Sequence, residues 1–471
     1  MPASRDSLAA AVESVVASVV AGGIVAPTID LEAVARSSAE REMTQTAESR
    51  AAVVVAASRL GRHPRALNLS DSALAWADEQ TALSAGQRAL LLSAAAEAHL
   101  AAGRLRVGHS LAGRAVAYAD RASDDALVLA AGGLLALARA LDGRYTDAAE
   151  SVQTCRRIQS DRGFETGQSA YPLLLAEILI ASARLDPRRL RSIAEEIDAV
   201  SDEDPWTTTA MGARAMAALC EADAPSAVPL LLSVIGDVKA GETLALVRGF
   251  CLGIYADLLL TAGEARRALS LLESVPSPSE HVLCYDMQRA AAHLLLEDPR
   301  AALMVTDDCI RMGPKHCLRT TPPILLRRAI AHARLGDPRR SDETFAVAAR
   351  MLVESESLTP LLTLPADQLE PLLAGLGRSS GEGRVVELDL RRRLSRIPAV
   401  DATRSRLPRL TPREEILVRR LRGGAALAGI AADLHVSLNT VKTQLRTVYR
   451  KLGVSSREDA VSRLERAGYF D

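Results

Sequence analysis

The chain has 471 residues, 48% hydrophobic but only 3% aromatic, with a net charge of −1. That length suffices for several domains. Alanine, leucine and arginine dominate, and strand-like alternation is hard to find, so the fold class expected is all-α. No nucleophile elbow, paired-carboxylate pattern or dinucleotide-binding glycine motif appears, so an enzyme is not expected. Six cysteines (155, 220, 251, 284, 309, 317) show no C-x-x-C pair, which suits buried thiols in a reduced cytoplasm.

The first element is the apolar stretch Leu8 to Ala26. Glu13 interrupts it, serines and alanines dilute it, and Arg5-Asp6 is a poor flank for a signal or membrane helix. It reads as a buried helix of the first layer, with no membrane span. Apolar helices then alternate with short turns at Gly61, Gly103, Gly143, Leu185, Ala222, Gly263, Glu297 and Gly336. Five residues past each turn stand Ala66, Gly108, Ala148, Leu190, Ala227, Ala268, Ala302 and Ser341, all small except Leu190. Small residues are what close crossing of paired helices requires. Three turns repeat a theme, Asp186-Pro187-Arg188, Asp298-Pro299-Arg300 and Asp337-Pro338-Arg339, in which aspartate caps the next helix and proline opens it. A period of about 40 residues indicates helical hairpins stacked into a solenoid, here over residues 1–374. The concave surface of such a solenoid would dock a protein, peptide or small effector.

Residues 375–403 read as a flexible linker, from the run Gly375-Leu376-Gly377-Arg378-Ser379-Ser380-Gly381-Glu382-Gly383 to the prolines 398 and 408. The segment 385–394, with Arg391-Arg392-Arg393, has no clear assignment. Residues 404–471 form a separate domain. Thr411-Pro412-Arg413-Glu414 is a capping box with proline at the first helical position, and Gly423-Gly424 stops that helix. A short second helix covers about Leu427 to Leu434. Ser437 caps a third, which ends at Gly453 with Val454 closing the stop. A fourth runs from Arg457 to Ala467. On the third helix Leu438, Val441, Leu445, Val448 and Leu452 form a core stripe, alongside Ile430, Ala431, Leu434 and Val436. The opposite side carries Asn439, Lys442, Thr443, Arg446 and Arg450, a face suited to the DNA major groove. From Arg404 onward fourteen Lys and Arg face seven Asp and Glu, +7, so the rest of the chain carries −8. Positive charge gathered at one end suits phosphate attraction, and an acidic body could also attract and mask that end.

The stretch LTPRE…G…IAADLHVSLNTVKTQLRTVYRKLGVSSREDAV resembles the DNA-binding domain of LuxR/FixJ-type bacterial transcription regulators. Region four of sigma factors shares the LTPRE-like start and the TVK helix. Tyr449-Arg450-Lys451-Leu452-Gly453-Val454 and the fourth helix favour the LuxR type. The resemblance implies double-stranded DNA as partner, with Lys442, Thr443 and Arg446 facing bases and Asn439, Thr440 and Arg450 near phosphates. It also implies a homodimer on DNA through the fourth helix, with Val461, Leu464 and Ala467 as its apolar positions, and contact with RNA polymerase. The repeats are similar to degenerate tetratricopeptide repeats and resemble the helical sensor of MalT-like regulators. Those regulators also carry a nucleotide-binding module, whereas no G-x-x-x-x-G-K-[ST] loop occurs here. The tail departs from its family at Ala425 to Gly429, where Ala426 cannot cap, at Ile416 in place of an acid, and at Gln444 in place of histidine.

The reading is therefore a cytoplasmic DNA-binding transcription regulator with a helical effector- or partner-binding body. The alternative is a helical-repeat scaffold whose DNA-binding head is weakened. No cofactor is expected. Cys309, His316 and Cys317 lie close together in sequence, but four ligands at zinc-type spacing are missing, so no metal site is expected either.

Overall fold

A computed structural model describes Val15, residues 46–164, 171–200, 206–221, 223–236, 245–273, 275, 282–364, 366–395, 410–452, 454, 456–466 and 469–470. The described residues contain helices and no strand. Of the segment Leu8 to Ala26 only Val15 falls among them, and it is buried in the core of the first helices. Among the described residues no helix is long and apolar enough to cross a membrane.

The body is a series of helical hairpins, α1 (Ala47–Arg59) with α2 (His63–Glu79), α3 (Ala85–Ala101) with α4 (Leu105–Ala122), α5 (Asp125–Asp142) with α6 (Tyr145–Arg162), and α7 (Tyr171–Arg184) with α8 (Pro187–Val200). It continues with α9 (Trp206–Cys220) and α10 (Ala224–Gly236), α11 (Ala245–Thr261) and α12 (Ala265–Leu272), and α13 (Asp286–Leu295) and α14 (Pro299–Val305). A short α15 (Asp307–Met312) precedes the last hairpin, α16 (Thr321–Arg334) with α17 (Pro338–Glu354). The first helix of each hairpin packs on its own partner and on the first helix of the next hairpin. That is the stacking of a tetratricopeptide-like solenoid.

The repeat is written in its turns. Gly61, Gly103, Gly143, Leu185, Gly263, Glu297 and Gly336 all have positive φ, while Ala222 lies outside the described residues. At each, the next amide reaches back to the fifth carbonyl before it, as Arg62 N does to Ala57 O at 3.0 Å and Asp337 N to His332 O at 3.0 Å. This is a Schellman-type stop, and it satisfies carbonyls that a helix end would otherwise orphan. The following helix then begins at once. The Asp-Pro turns cap it as expected, with Asp186, Asp298 and Asp337 accepting from the amides of Arg189, Ala301 and Arg340.

The small positions explain why the hairpins close. Ala66, Ala148, Ala227, Ala268, Ala302 and Ser341 are all buried. At Gly108 a Cβ would stand 2.7 Å from Leu100 Cδ2, so only glycine lets α4 approach α3 this closely. Leu190, the large exception, is also fully buried, in the α7–α9 core.

Beyond the last hairpin the structure corrects the linker. Residues 375–394, expected to be flexible, are helical: α18 (Ala366–Ser379) and α19 (Gly381–Leu394) pack on α17. Ser380 caps α19 by accepting from Gly383 N at 2.9 Å, and Leu372, Leu373, Leu376, Val386 and Leu390 complete the last body core. The glycines there serve close approach. A Cβ at Gly377 would collide with the Glu387 carboxylate, and one at Gly375 would come within 3.0 Å of Asp342. Residues 396–409, the rest of the expected linker, lie outside the described residues.

The head has its own core. It is built from α20 (Pro412–Arg422), α21 (Leu427–Asp433), α22 (Leu438–Leu452) and α23 (Arg457–Arg466), with Leu417, Val418, Leu421, Ile430, Val441, Leu445, Val448, Leu452, Ala460 and Leu464 inside.

Candidate nucleic-acid interface and interior chamber

Helix α20 starts where the capping box says. Glu414 N donates to Thr411 Oγ1 at 3.3 Å, and Thr411 N donates to Glu414 Oε2 at 2.7 Å. Lys451, at the end of α22, donates to the same carboxylate at 2.6 Å and so locks the third helix to the first. Burial would raise the Glu414 pKa, but Lys451 and the Thr411 amide outweigh it and hold the carboxyl below its ordinary range. Arg457 adds a second lock by donating to the carbonyls of Leu421 and Ala425, at 2.6 and 2.9 Å. Neither lock was foreseen in the sequence, because both join residues more than thirty positions apart.

Helix α21 lacks a side-chain cap at Ala426, as its methyl group dictates. The turn into α22 passes through His435 at positive φ, and Ser437 caps α22 by accepting from Thr440 N at 3.1 Å. At its far end Val454 N reaches Tyr449 O at 3.0 Å, the geometry of the expected stop, while Gly453 lies outside the described residues. Two residues of the expected core face solvent instead. Leu438 is 41% exposed and Val436 37%, since the turn carries both to the rim where α22 begins.

Asn439, Thr440, Lys442, Thr443, Arg446 and Arg450 are all exposed. The Thr443 hydroxyl donates to Asn439 O at 2.9 Å, which turns its methyl and lone pairs outward. Among the described residues Lys442, Arg446 and Arg450 enter no ion pair. Other head cations do: Arg420 with Asp433, Arg422 with Glu465 at 3.3 Å, and Lys451 with Glu414. Arg413 and Arg419 likewise enter no ion pair among the described residues, Arg419 lying over the Tyr469 ring; α22 adds three such cations on one face.

The fourth helix departs from expectation. Leu464 is fully buried in the head's own core, and Val461 packs half-buried against the same core. Leu464 therefore presents no apolar surface to a second head: α23 uses it to cover α20 and α22. Ala467 lies outside the described residues.

A second candidate site lies inside the body. Two loops cross the expected concave groove in this region without sealing it. Cys317 Sγ donates to Leu141 O at 3.1 Å, and Leu358 N and Thr359 Oγ1 donate to Ala183 O and Ser182 O, both at 2.7 Å. These bonds satisfy carbonyls at the ends of α5 and α7 from residues some 176 positions later in the chain. Beneath the loops is a cavity of about 80 Å³, partly open to solvent, lined by apolar groups such as Leu179, Met216, Phe250 and Ile254 and by a polar pole of Asp257, Gln288, Arg319 and Arg327.

Arg327 is 3% exposed and donates to the carbonyls of Pro323 and Pro360, at 3.2 and 3.1 Å, and to Thr363. Among the described residues its Nε, the Nε of Arg319 and Oε1 of the buried Gln288 have no hydrogen-bond partner. Among the described residues Asp257 accepts one long bond, 3.4 Å, from Gln288. Burial pushes the Asp257 carboxyl up to about 6 despite Arg327 and Arg319, and pushes Arg327 down to about 10 despite Asp257. Polar groups this deeply buried with open valences are uncommon.

The geometry of the head is that of a helix-turn-helix, and residues 408–464 match the family described as bacterial regulatory proteins, luxR family. This C-terminal segment is a LuxR-family helix-turn-helix domain. It is similar to the "Probable transcriptional regulatory protein NarL" of two strains of Mycobacterium tuberculosis, 41% identical over 64 residues, 14% of this chain. The chain spans about 30% of the length of these curated relatives.

Proposed function

We propose that the protein is a DNA-binding transcription regulator. Its α22 would enter the major groove, Lys442, Thr443 and Arg446 would meet bases, and Asn439, Thr440 and Arg450 would meet phosphates. The observation that carries this reading is the exposed polar and cationic outer face of α22, opposite its buried apolar stripe. Val441, Leu445, Val448 and Leu452 are buried on one side of the helix, whereas Lys442, Arg446 and Arg450 stand exposed on the other and enter no ion pair among the described residues.

The body serves in this proposal as the input. The chamber fits a small, mostly apolar effector whose polar end reaches Asp257, Gln288 and the two arginines. Ligand atoms there would complete hydrogen bonds that the fold leaves open. The acidic body and basic head further suggest that the body restrains the head until the effector arrives. Because the head's core is made wholly of its own residues, a 404–471 fragment can be compared with the full chain. Mobility shifts at matched ionic strength should show tighter DNA binding by the fragment. Equal or tighter binding by the full chain would remove the restraint, and absence of binding by both would remove the regulator.

A further inference from the structure

The loop ahead of α13, the helix α15 and the turn after it bring together three side chains that no spacing motif connects. One ligand atom from each of Cys284, Cys309 and His316 lies within 4.8 Å of the others, and all three residues are buried. The two sulfurs are 3.7 Å apart. A disulfide needs about 2.0 Å. Two thiolates bound to one zinc ion at about 2.3 Å, at the tetrahedral angle, sit about 3.8 Å apart. The pair therefore has the separation of two corners of a zinc tetrahedron.

The histidine is set as a ligand would be. His316 Nδ1 lies 3.1 Å from the Cys317 carbonyl oxygen and 3.0 Å from Thr321 Oγ1. A proton on Nδ1 donated to that carbonyl fixes the ring and leaves Nε2 as the coordinating nitrogen. Metal-bound histidines are held in this way by their surroundings. Asp286 Oδ2 is 3.4 Å from Cys309 Sγ, while its other oxygen holds Arg289 at 2.6 Å, so this carboxylate stands beside Cys309 and outside the three-ligand cluster. Cys317, the sequence neighbour of His316, is directed elsewhere, to the Leu141 carbonyl.

We propose that Cys284, Cys309 and His316 form a three-ligand binding site for a divalent ion of the zinc class, its fourth position left to water or another small ligand. Thiolate and imidazole are the ligands that select such ions over magnesium or calcium. Loading would release the two thiol protons to solvent, so uptake is favoured by rising pH. Cys284 also lines the interior chamber, so the ion would fasten one wall of that chamber to the loop 306–320 that crosses it.

The test uses the full-length protein, reduced and stripped of metal, titrated with zinc against a chromophoric chelator and with cobalt(II) as a spectroscopic probe. The expected result is one equivalent of metal and a cobalt spectrum with thiolate charge-transfer bands and the intense visible bands of tetrahedral coordination. Cys284→Ser, Cys309→Ser and His316→Gln should each lower affinity at least about 10–100-fold, the range for losing a supporting group. Cys155→Ser and Cys317→Ser should leave it unchanged. Substoichiometric uptake, a cobalt spectrum without thiolate bands, or equal affinity in the three ligand variants would overturn the site. If those variants fail to fold, the wild-type cobalt spectrum decides by itself. Formation of a Cys284–Cys309 disulfide by a protein that takes up no metal when reduced would also refute it.

Discussion

The sharpest perturbation contrasts two lysines on one helix. Lys442 and Lys451 both belong to α22, carry the same charge and lie in the basic tail. Lys442 is exposed without an acidic partner, whereas Lys451 is tied at 2.6 Å to a Glu414 carboxylate whose side chain is 8% exposed. Lys442→Ala should therefore leave head stability within about 0.5 kcal/mol of wild type, as surface changes usually do. It should weaken operator binding by about 1–3 kcal/mol, roughly 5–150-fold, if the ammonium meets a guanine. If it meets a phosphate instead, the loss should be uniform across sequences, with a salt slope smaller by about 1. Lys451→Ala should behave in the opposite way. It leaves a buried carboxylate with only the Thr411 amide, costing about 1–3 kcal/mol of stability. Its DNA affinity per folded molecule should stay near wild type. Chemical denaturation of the 404–471 fragment and fluorescence anisotropy on the mapped operator measure the two quantities. Equal DNA-binding losses in both variants, with no stability loss in Lys451→Ala, would refute the assignment of α22's outer face.

Other outcomes follow from the same geometry. Leu464→Arg should unfold the head outright, because a charge in a fully enclosed core costs well over about 4 kcal/mol; a folded variant with altered dimerisation alone would show that the side chain faces outward. Gly108→Val should lower the melting temperature of the full chain through a cost of about 1–3 kcal/mol, read by calorimetry, since its Cβ would meet Leu100 at 2.7 Å. The Asp257 carboxyl is raised to about 6, so the folded state holds its proton more tightly than the unfolded chain. The resulting stability is present below about pH 4 and is lost as pH rises toward about 6, by at most about 3 kcal/mol; Asp257→Asn should flatten that slope in denaturant titrations across this window. Gly253→Leu should fill the chamber without unfolding it, since a Cβ there meets only ordinary contacts at 3.7 Å or more; binding of the fluorescent anion anilinonaphthalene sulfonate should fall, and unchanged binding would locate that probe elsewhere.

What the sequence by itself determined here is local. Capping boxes, Asp-Pro starts, Gly and αL stops and the 3.6-residue stripe of α22 act over three to five residues, so they survive whatever the tertiary fold does. They suffice for the head's first three helices and for the period of the hairpins, whose turn positions reappear at positive φ. Glycine was ambiguous, because the same residue serves a loop or a close helix contact. That is why Gly375 to Gly383 read as linker although Gly377 packs against Glu387. The inward turn of Leu464 was equally hidden, since an apolar stripe on a short last helix does not say whether its own domain or a second copy covers it. The interior chamber and the Cys284–Cys309–His316 cluster belong to the tertiary structure alone. The cavity depends on a solenoid that brings residues up to about 177 positions apart into hydrogen-bonding distance, a separation at which no local pattern carries information, and the cluster depends on how a loop, a helix and a turn between 284 and 316 fold together.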